Sequence, residues 1–142
     1  MTAAAATDFV FPCRVYWEDT DGGGVVYYAN YLKFMERART EWLRKLGFEQ
    51  TALREQYGIL LVVARVEADF KRPARLDDVL QVGCKMLQRG KASLSFAQDI
   101  YRDGERNELL LEGVTRVCCI DAATFKPKPM PDAIVAALDK LS

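Results

Sequence analysis

The stretch EDTDGGGVVYYANYLKFMERARTEWLRKLG, residues 18–47, decides the fold because it joins an acidic, glycine-rich loop to the longest helical pattern in the chain. The loop spans residues 19–24, and the helix is predicted to begin between Val26 and Tyr31 and to end at Gly47. A helix N-terminus carries backbone N–H groups without an intrahelical acceptor and a partial positive charge. A carboxylate in this loop would therefore lie beside donors that can stabilise an oxyanion.

The helical pattern has a single apolar stripe, which predicts burial against a sheet. The stripe follows the spacing i, i+4, i+7, i+11, i+15 and consists of Tyr31, Met35, Ala38, Trp42 and Leu46. Phe34 and Leu43 widen this stripe, and the charged residues of the helix lie largely off it. Gly47 suits the position after a helix end, where a left-handed conformation is common.

The rest of the chain alternates with the period of β-strands. Strands are predicted over residues 9–17, 60–70, 79–88, 93–101 and 109–120, with the last at the centre of the sheet, and short helices over 51–57 and 132–141. Short turns join the last three strands, which predicts antiparallel neighbours. The fold class is therefore α+β, a five-stranded antiparallel sheet packed on one long helix. Residues 1–8 are predicted to be a disordered tail, and residues 9–142 form one domain.

The composition excludes several kinds of active site. The chain has no histidine, so no Ser-His-Asp triad, Cys-His dyad or His-containing zinc site can form. Lys plus Arg equals Asp plus Glu at 20 each, so net charge does not indicate a nucleic-acid or anionic-membrane partner. The four cysteines lack CxxC spacing and are predicted to be free thiols in a reducing compartment. With no signal peptide and no apolar run of about 18 residues, the sequence predicts a cytoplasmic protein.

The glycine loop fails the tests for three common ligand sites. Tyr27 occupies the third glycine position of a dinucleotide fingerprint, and the Gly-Lys-Ser/Thr of a P-loop is missing. A calcium loop read from Asp19 has Gly23 at the fifth position and Asn30 at the twelfth, so no metal is predicted. Two interpretations remain equal on the residues alone, a capping turn and a catalytic loop.

The run YWEDTDGGGVVYYANYLKFMERARTEWLRKLG resembles the signature of hotdog-fold acyl-CoA thioesterases. It is most similar to the 4-hydroxybenzoyl-CoA thioesterase family and its Tol-Pal-associated branch. The resemblance implies a hotdog fold in which the sheet wraps a central helix. It also implies hydrolysis of acyl-CoA to a free acid and CoA without a cofactor, in a homodimer or homotetramer. An acyl carrier protein is an alternative acyl donor or partner. A non-catalytic module that binds acyl-CoA or acyl carrier protein and serves envelope maintenance stays open as an alternative function.

The resemblance assigns roles to individual residues of the loop and the helix start. Asp21 matches the catalytic carboxylate, and Gly24 matches the glycine that opens the helix N-terminus. Tyr28 matches the position whose backbone N–H polarises the thioester carbonyl, although the Tol-Pal branch usually has histidine there. Asn30 belongs to the N-Y pair at the helix start and is also predicted to contact the substrate, and Tyr27 is expected to line the acyl pocket.

Basic residues outside the loop are predicted to contact the substrate, and one acidic residue of the helix is not assigned a catalytic role. A basic rim for the coenzyme phosphates is predicted at Arg89, Lys91 and Ser93 in QRGKAS, with Lys126 and Lys128 as further candidates. Ordinary turn solvation explains these residues nearly as well. Some hotdog branches use a helix glutamate for catalysis, but with Asp21 intact Glu36 is interpreted as a solvated or paired helix residue.

Overall fold

The computed structural model describes residues 8–104 and 107–141 and has mixed α and β structure. The strands are β1 (Asp8–Arg14), β2 (Ile59–Phe70), β3 (Val79–Arg89), β4 (Ser93–Ala97), β5 (Ile100–Arg102) and β6 (Glu108–Asp121). The helices are α1 (Asn30–Lys45), α2 (Gln50–Tyr57) and α3 (Asp132–Asp139), and Trp17–Asp19 forms a 3-10 turn. The tail predicted over residues 1–8 lies outside the described residues, except for Asp8 at the start of β1.

The strands form one antiparallel sheet with the order β1-β3-β4-β6-β2, and β5 continues β4 between β3 and β6. The row of five paired strands from β1 to β2 confirms the predicted five-stranded antiparallel sheet. The single strand predicted over residues 93–101 is interrupted at Gln98 and Asp99, whose backbones bond to Gly113 and Gly83. The last strand, β6, was expected at the centre but lies one place inside the edge, because β2 pairs with it from the outer side.

Helix α1 packs on the sheet through the predicted stripe. Tyr31, Met35, Ala38 and Trp42 are buried, and the Trp42 ring meets Phe96 of β4 edge-on at a centroid distance of 4.9 Å. The helix pattern ends as predicted, since Gly47 has a φ of +101°. The hydrophobic core lies mainly between α1 and the inner face of the sheet, and Leu53 of α2 and Ile134 and Leu138 of α3 add to it.

The prediction for the first strand was wrong at its C-terminal end. The strand ends at Arg14, and Trp17, which the prediction included in the strand, lies in the 3-10 turn with 77% of its surface exposed. The cause is Asp19, whose carboxylate accepts the Tyr16 N–H at 2.8 Å and turns the chain away from the sheet. This turn directs the following residues toward the start of α1.

Strand β2 is exposed over much of its length. It pairs with β6 on one side only, and a bulge between Val63 and Arg65 interrupts that pairing. Val63, Val66 and Phe70 expose 49%, 36% and 52% of their surface. The position of β2 at the edge of the sheet is the reason, since an edge strand lacks a neighbour whose side chains would cover it.

Candidate active site

The loop after the 3-10 turn folds as a tight hairpin. The Asp21 N–H donates to the Val25 carbonyl at 2.9 Å, and the Tyr27 N–H donates to the Asp19 carbonyl at 3.0 Å. Gly24 lies in the turn with a φ of +81°, a conformation that L side chains rarely adopt. Gly24 thus allows a sharp reversal that presents Asp21 at the surface.

Gly24 does not open the helix, which corrects the role that the resemblance assigned to it. Helix α1 begins at Asn30, six residues later, and the Gly24 N–H donates to the Asp21 carbonyl at 3.3 Å. The hairpin occupies the intervening residues, since Val26 pairs with Thr20. Gly24 therefore shapes the loop, and its N–H is already engaged.

The Asp21 carboxylate is exposed and only partly engaged. Its Oδ1 accepts the Gly23 N–H at 2.7 Å, so the capping interaction expected from the sequence is present. In the described part of the chain no cation lies within ion-pair distance of this carboxylate. Asp21 thus combines a backbone-fixed orientation with a second oxygen that has no partner among residues 8–104 and 107–141.

The backbone N–H of Tyr28 is the feature that complements this carboxylate. The neighbouring N–H groups of Tyr27 and Asn30 donate to backbone carbonyls, but within the described ranges those of Tyr28 and Ala29 donate to none. Both lie directly before the first turn of α1, where the helix dipole adds positive potential. Unpaired donors at this position can stabilise a developing oxyanion.

Asn30 connects the helix start to the hairpin. Its side-chain Nδ2 donates to the Asp19 carbonyl at 2.9 Å, and its backbone N–H donates to the Tyr27 carbonyl at 2.8 Å. The residue called substrate-binding from the sequence therefore has a structural contact on each side. It fixes the distance between the hairpin and the first turn of α1.

A groove with a volume of about 290 Å³ opens beside Tyr28. It is lined by Val26, Tyr28, Tyr31, Phe70, Lys71, Arg72 and Pro73. Tyr28 is 63% exposed and its ring packs against Tyr27 and Phe70, at centroid distances of 5.0 and 6.3 Å. Burial raises the pKa of the Tyr31 hydroxyl, which accepts the Ala74 N–H at 3.0 Å. An aromatic wall of this kind suits the acyl part of a thioester.

We call the end of the sheet that carries residues 19–28 the hairpin end, and the opposite end, with the turn at residues 89–93, the far end. Strand β3 runs from Val79 at the hairpin end to Arg89 at the far end. At about 3.3 Å per residue, these two positions lie about 33 Å apart. One protomer therefore does not bring Arg89, Lys91 and Ser93 together with Asp21.

The predicted basic rim also has local partners. Arg89 forms an ion pair with Asp139 of α3, and Lys128 lies 3.7 Å from Asp121. The Lys91 carbonyl accepts the Met130 N–H, and the Ser93 carbonyl accepts the Gly90 N–H, both at 2.8 Å. These contacts stabilise the turns at the far end, in agreement with the interpretation of these residues as ordinary turn residues.

The helix glutamate that was set aside is exposed. Glu36 contacts Thr40 at 3.4 Å, which agrees with its interpretation as a helix surface residue.

Two groups of residues were missed by sequence reasoning. Fully buried Gln98 accepts a hydrogen bond from Arg39 at 3.0 Å and donates to the Met35 carbonyl at 2.8 Å. Burial lowers the pKa of Arg39. The second group is the basic turn between β2 and β3, which contains Arg72 and Arg75 and borders the groove. Neither carries a sequence signal, because an isolated glutamine and a turn rich in arginine are common.

Three further structural observations bear on the class of site. The cysteines Cys13, Cys84, Cys118 and Cys119 are free, and burial raises the pKa of Cys84 to about 12. Residues 8–104 and 107–141 hold no cluster of three side chains suited to a metal ion. In the same ranges, no helix has the length and apolar character needed to cross a membrane.

Comparison with known proteins gives a consistent result. The sequence pattern of the thioesterase-like superfamily matches residues 15–138. The acyl-CoA thioesterase YbgC of Haemophilus influenzae is 43% identical over 134 residues, which are 94% of this chain and 96% of that protein. The acyl-CoA thioester hydrolase YbgC of Escherichia coli O157:H7 is 44% identical over 130 residues, 92% and 95% of the two chains. The crystal structure of Slr0204, a 1,4-dihydroxy-2-naphthoyl-CoA thioesterase from Synechocystis, superposes with a TM-score of 0.86 at 27% identity, covering 94% of this chain and 97% of that one.

Proposed function

The chain belongs to the thioesterase-like superfamily, and from this we infer that it is a thioester hydrolase that converts an acyl-CoA into a free acid and CoA. Its fold is the hotdog arrangement implied by its sequence signature, with the long helix packed against the antiparallel sheet. The observation that carries the proposal for the site is the pairing of an exposed, partly engaged carboxylate with unpaired N–H groups before α1.

The proposed reaction uses Asp21 as a general base and the Tyr28 N–H as the oxyanion donor. The Asp21 carboxylate takes a proton from a water molecule while the water oxygen adds to the thioester carbonyl carbon. The negative charge that develops on the carbonyl oxygen is stabilised by the Tyr28 N–H. The carbon–sulfur bond then breaks, the acid is released, and the departing thiolate receives the proton. No imidazole takes part, since the chain contains no histidine.

A nucleophilic role for Asp21 leads to the same products through a mixed anhydride between its carboxylate and the acyl group. A single turnover in water enriched in oxygen-18 reveals the anhydride route when water attacks the Asp21 carbonyl carbon of the anhydride. For the general-base route we expect the label in the released acid and not in Asp21. Label found in the Asp21 carboxylate by peptide mass spectrometry would establish the anhydride route instead.

The test of the function itself is thiol release from a panel of acyl-CoA substrates with short, long and aromatic acyl groups. We expect hydrolysis of at least one member by the wild-type protein and a large loss in Asp21→Asn. An Asp21→Asn variant with near-wild-type turnover would remove Asp21 from the mechanism. A wild-type protein that binds the panel without releasing CoA would favour the non-catalytic binding module.

We propose that the protein is a homodimer joined through the free edge of β2, and that two dimers can form a tetramer. The support is an edge strand of 12 residues with three exposed apolar side chains, Val63, Val66 and Phe70. Antiparallel pairing of two β2 strands would set the far end of one protomer beside the hairpin end of the other. In that assembly Arg89, Lys91 and Ser93 could reach a coenzyme bound by the neighbouring protomer. Sedimentation equilibrium of wild type and Val66→Lys tests it, with dissociation expected in the variant.

The cellular setting is also a proposal. Four free cysteines support a reducing, cytoplasmic location, and the branch signature supports a Tol-Pal-associated role in which an acyl carrier protein donates the acyl group. A pull-down with acyl carrier protein and with envelope proteins tests this role. Capture that depends on surface residues and not on Asp21 would favour a partner function that is separate from hydrolysis.

A further inference from the structure

A cleft between α1 and the inner face of β2 continues the groove that opens beside Tyr28. Four side chains of β2 form its floor, since each is paired with a buried residue of β6 and lies on that face of the sheet: Phe70, Val66, Val63 and Leu61. The bulge between Val63 and Arg65 keeps Val63 and Val66 on the same face although they are not two residues apart. Phe70 lines the groove at Tyr28, and the other three line the cleft. An apolar path therefore leads from the proposed oxyanion donor along α1.

The cleft has room for a hydrocarbon chain. Its two adjoining parts have volumes of about 540 and 250 Å³ and share Glu36, Arg39 and Val63 as lining residues. The wall of the smaller part is otherwise largely apolar: Trp42, Leu43, Leu61, Leu94, Phe96 and Val117. Pairing of two β2 edges in the proposed dimer uses the backbone of that strand, so its inner side chains remain available to a ligand.

The half-buried Arg39 guanidinium in this cleft has no ion pair. One of its N–H groups donates to the Gln98 Oε1 at 3.0 Å, and in the described part of the chain no carboxylate lies within 4.0 Å of it. Exposed Glu36, on the same wall, instead contacts Thr40. Burial lowers the pKa of Arg39, which reflects the free-energy cost of holding a cation in an apolar wall. A carboxylate ligand would offset this cost and accept the remaining N–H groups.

Two other cations line the cleft, but they lie at its mouth. Lys33 and Arg37 are both exposed, and the Arg37 guanidinium is 5.8 Å from the centroid of the Phe34 ring. Exposed cations stay hydrated and gain little free energy from pairing with a carboxylate. The cation that gains most from such a ligand is therefore Arg39.

Helix geometry sets the distance between Arg39 and the reacting carbonyl. With a rise of about 1.5 Å per residue, the backbones of Tyr28 and Arg39 lie about 16 Å apart along α1. An extended chain advances about 1.2 Å per bond, so about 13 bonds span this distance. Helical side chains lean toward the helix N-terminus, and this shortens the span by a few bonds.

We propose that Arg39 binds the terminal carboxylate of a dicarboxylic acyl chain whose thioester lies at the Tyr28 N–H. This inference rests on the proposed acyl-CoA hydrolysis and names its substrate class, an ω-carboxyacyl-CoA of about 10–12 carbons. The methylene groups pack on the apolar floor of the cleft, and hydrolysis releases the dicarboxylic acid and CoA. A chain that ends in a methyl group makes no polar contact with Arg39 and leaves its charge uncompensated.

The test compares dodecanoyl-CoA with the mono-CoA thioester of dodecanedioic acid, which has the same chain length and a terminal carboxylate. For the wild-type protein we expect kcat/KM to be about tenfold higher with the second substrate. Arg39→Met removes the charge and should bring the ratio of the two kcat/KM values close to one, without lowering the value for dodecanoyl-CoA. Arg39→Lys, which keeps the charge, should retain part of the preference.

The matched control is Arg37→Met, because it removes an exposed guanidinium from the same helix and the same cleft. This variant should keep the wild-type preference. The melting temperature of each variant shows whether it is folded, since Arg39→Met also leaves Gln98 without its partner.

A second measurement needs no variant. In the wild-type protein, the preference for the ω-carboxy substrate should be present at about 10–12 carbons. It should be absent between hexanoyl-CoA and its ω-carboxy analogue, whose carboxylate is too close to the thioester to reach Arg39. A preference of the same size at both lengths would contradict the assignment to Arg39.

Two further results would overturn the inference. Equal kcat/KM values for the two dodecanoyl substrates in the wild-type protein would mean that the cleft does not recognise a carboxylate. A preference that is lost in Arg37→Met and kept in Arg39→Met would place the carboxylate at the mouth of the cleft. In both cases acyl-CoA is still hydrolysed, whereas failure of the proposed function would appear as no hydrolysis of either substrate.

Discussion

The two ends of the sheet contain the same local motif with different surroundings. At the hairpin end Asp21 accepts the N–H of Gly23, two residues later, and at the far end Asp121 accepts the N–H of Ala123 in the same way. Asp121 also accepts the Thr124 N–H at 3.0 Å and lies 3.7 Å from Lys128. The Asp121 carboxylate is engaged within the fold, whereas one oxygen of Asp21 has no partner in the described part of the chain.

The same contrast holds for the cations and the backbone donors. Arg89 at the far end pairs with Asp139, while Arg72 and Arg75 at the hairpin end have no ion pair in the part of the chain that the structure describes. The unpaired Tyr28 N–H is also at the hairpin end. A capping turn is therefore not evidence of function by itself. The groups that the fold leaves unused mark the candidate site.

The largest expected effect comes from exchanging the two aspartates for asparagine. Asp21→Asn keeps an acceptor for the Gly23 N–H but removes the base, so we expect kcat/KM to fall by about 10²–10⁴ with little change in Tm. Asp121→Asn should leave kcat/KM unchanged. Acyl-CoA hydrolysis and thermal melting of both variants measure this. Comparable losses of activity would mean that the two ends do not differ in function.

The next largest effect is expected when the residue that supplies the backbone donor is replaced by proline, which has no N–H. Tyr28→Pro should lower kcat by about 10²–10³, as expected for removal of one oxyanion donor. Ala29→Pro is the matched control, because Ala29 also has an unpaired N–H and its φ of −68° already suits proline. Tyr28→Phe should be nearly neutral. If Ala29→Pro is the inactive variant and Tyr28→Pro is active, the oxyanion donor is Ala29.

A smaller effect is expected from the buried centre that separates the two ends. Gln98→Leu leaves the Arg39 guanidinium without its amide partner and should lower the free energy of unfolding by about 1–3 kcal/mol. The KM for acyl-CoA should not change, because Gln98 is fully buried. Urea denaturation measures the loss, with exposed Gln88→Leu on β3 as the control. A change in KM at unchanged stability would instead connect this pair to the substrate.

The smallest expected effect concerns Asp121 at the far end, and it is a change in how thermal stability depends on pH. Hydrogen bonds from the backbone N–H groups of Thr124 and Ala123 lower the pKa of Asp121. A carboxyl group with a lowered folded pKa stabilises the fold above its unfolded pKa of about 4, and this contribution disappears as pH falls through the folded value. We therefore expect the Tm of wild type to fall more steeply below about pH 4 than that of Asp121→Asn. Parallel melting curves across this range would contradict the assignment.

Much of the fold could be predicted because its signals are local. The stripe from Tyr31 to Trp42 repeats with the helical period, and it is buried as predicted. The strand prediction was wrong at Trp17 because the Asp19 carboxylate accepts the Tyr16 N–H and turns the chain there. The alternation of apolar residues carries no information about a single hydrogen bond of this kind. The exposure of Val66 and Phe70 was not predicted, because alternation does not tell an edge strand from a central one.

By itself, the sequence determined the helix, most of the strands, the acidic loop and the family, since periodicity, glycine positions and a contiguous motif are all short-range properties. Only the tertiary structure decided which charged turn lies near Asp21. Strand β3 separates Arg89 from the hairpin, whereas the bridge between Val25 and Arg75 brings residues 50 positions apart together. The physical reason is that strand direction and pairing fix the distance between turns, and neither is encoded in the local composition of a turn.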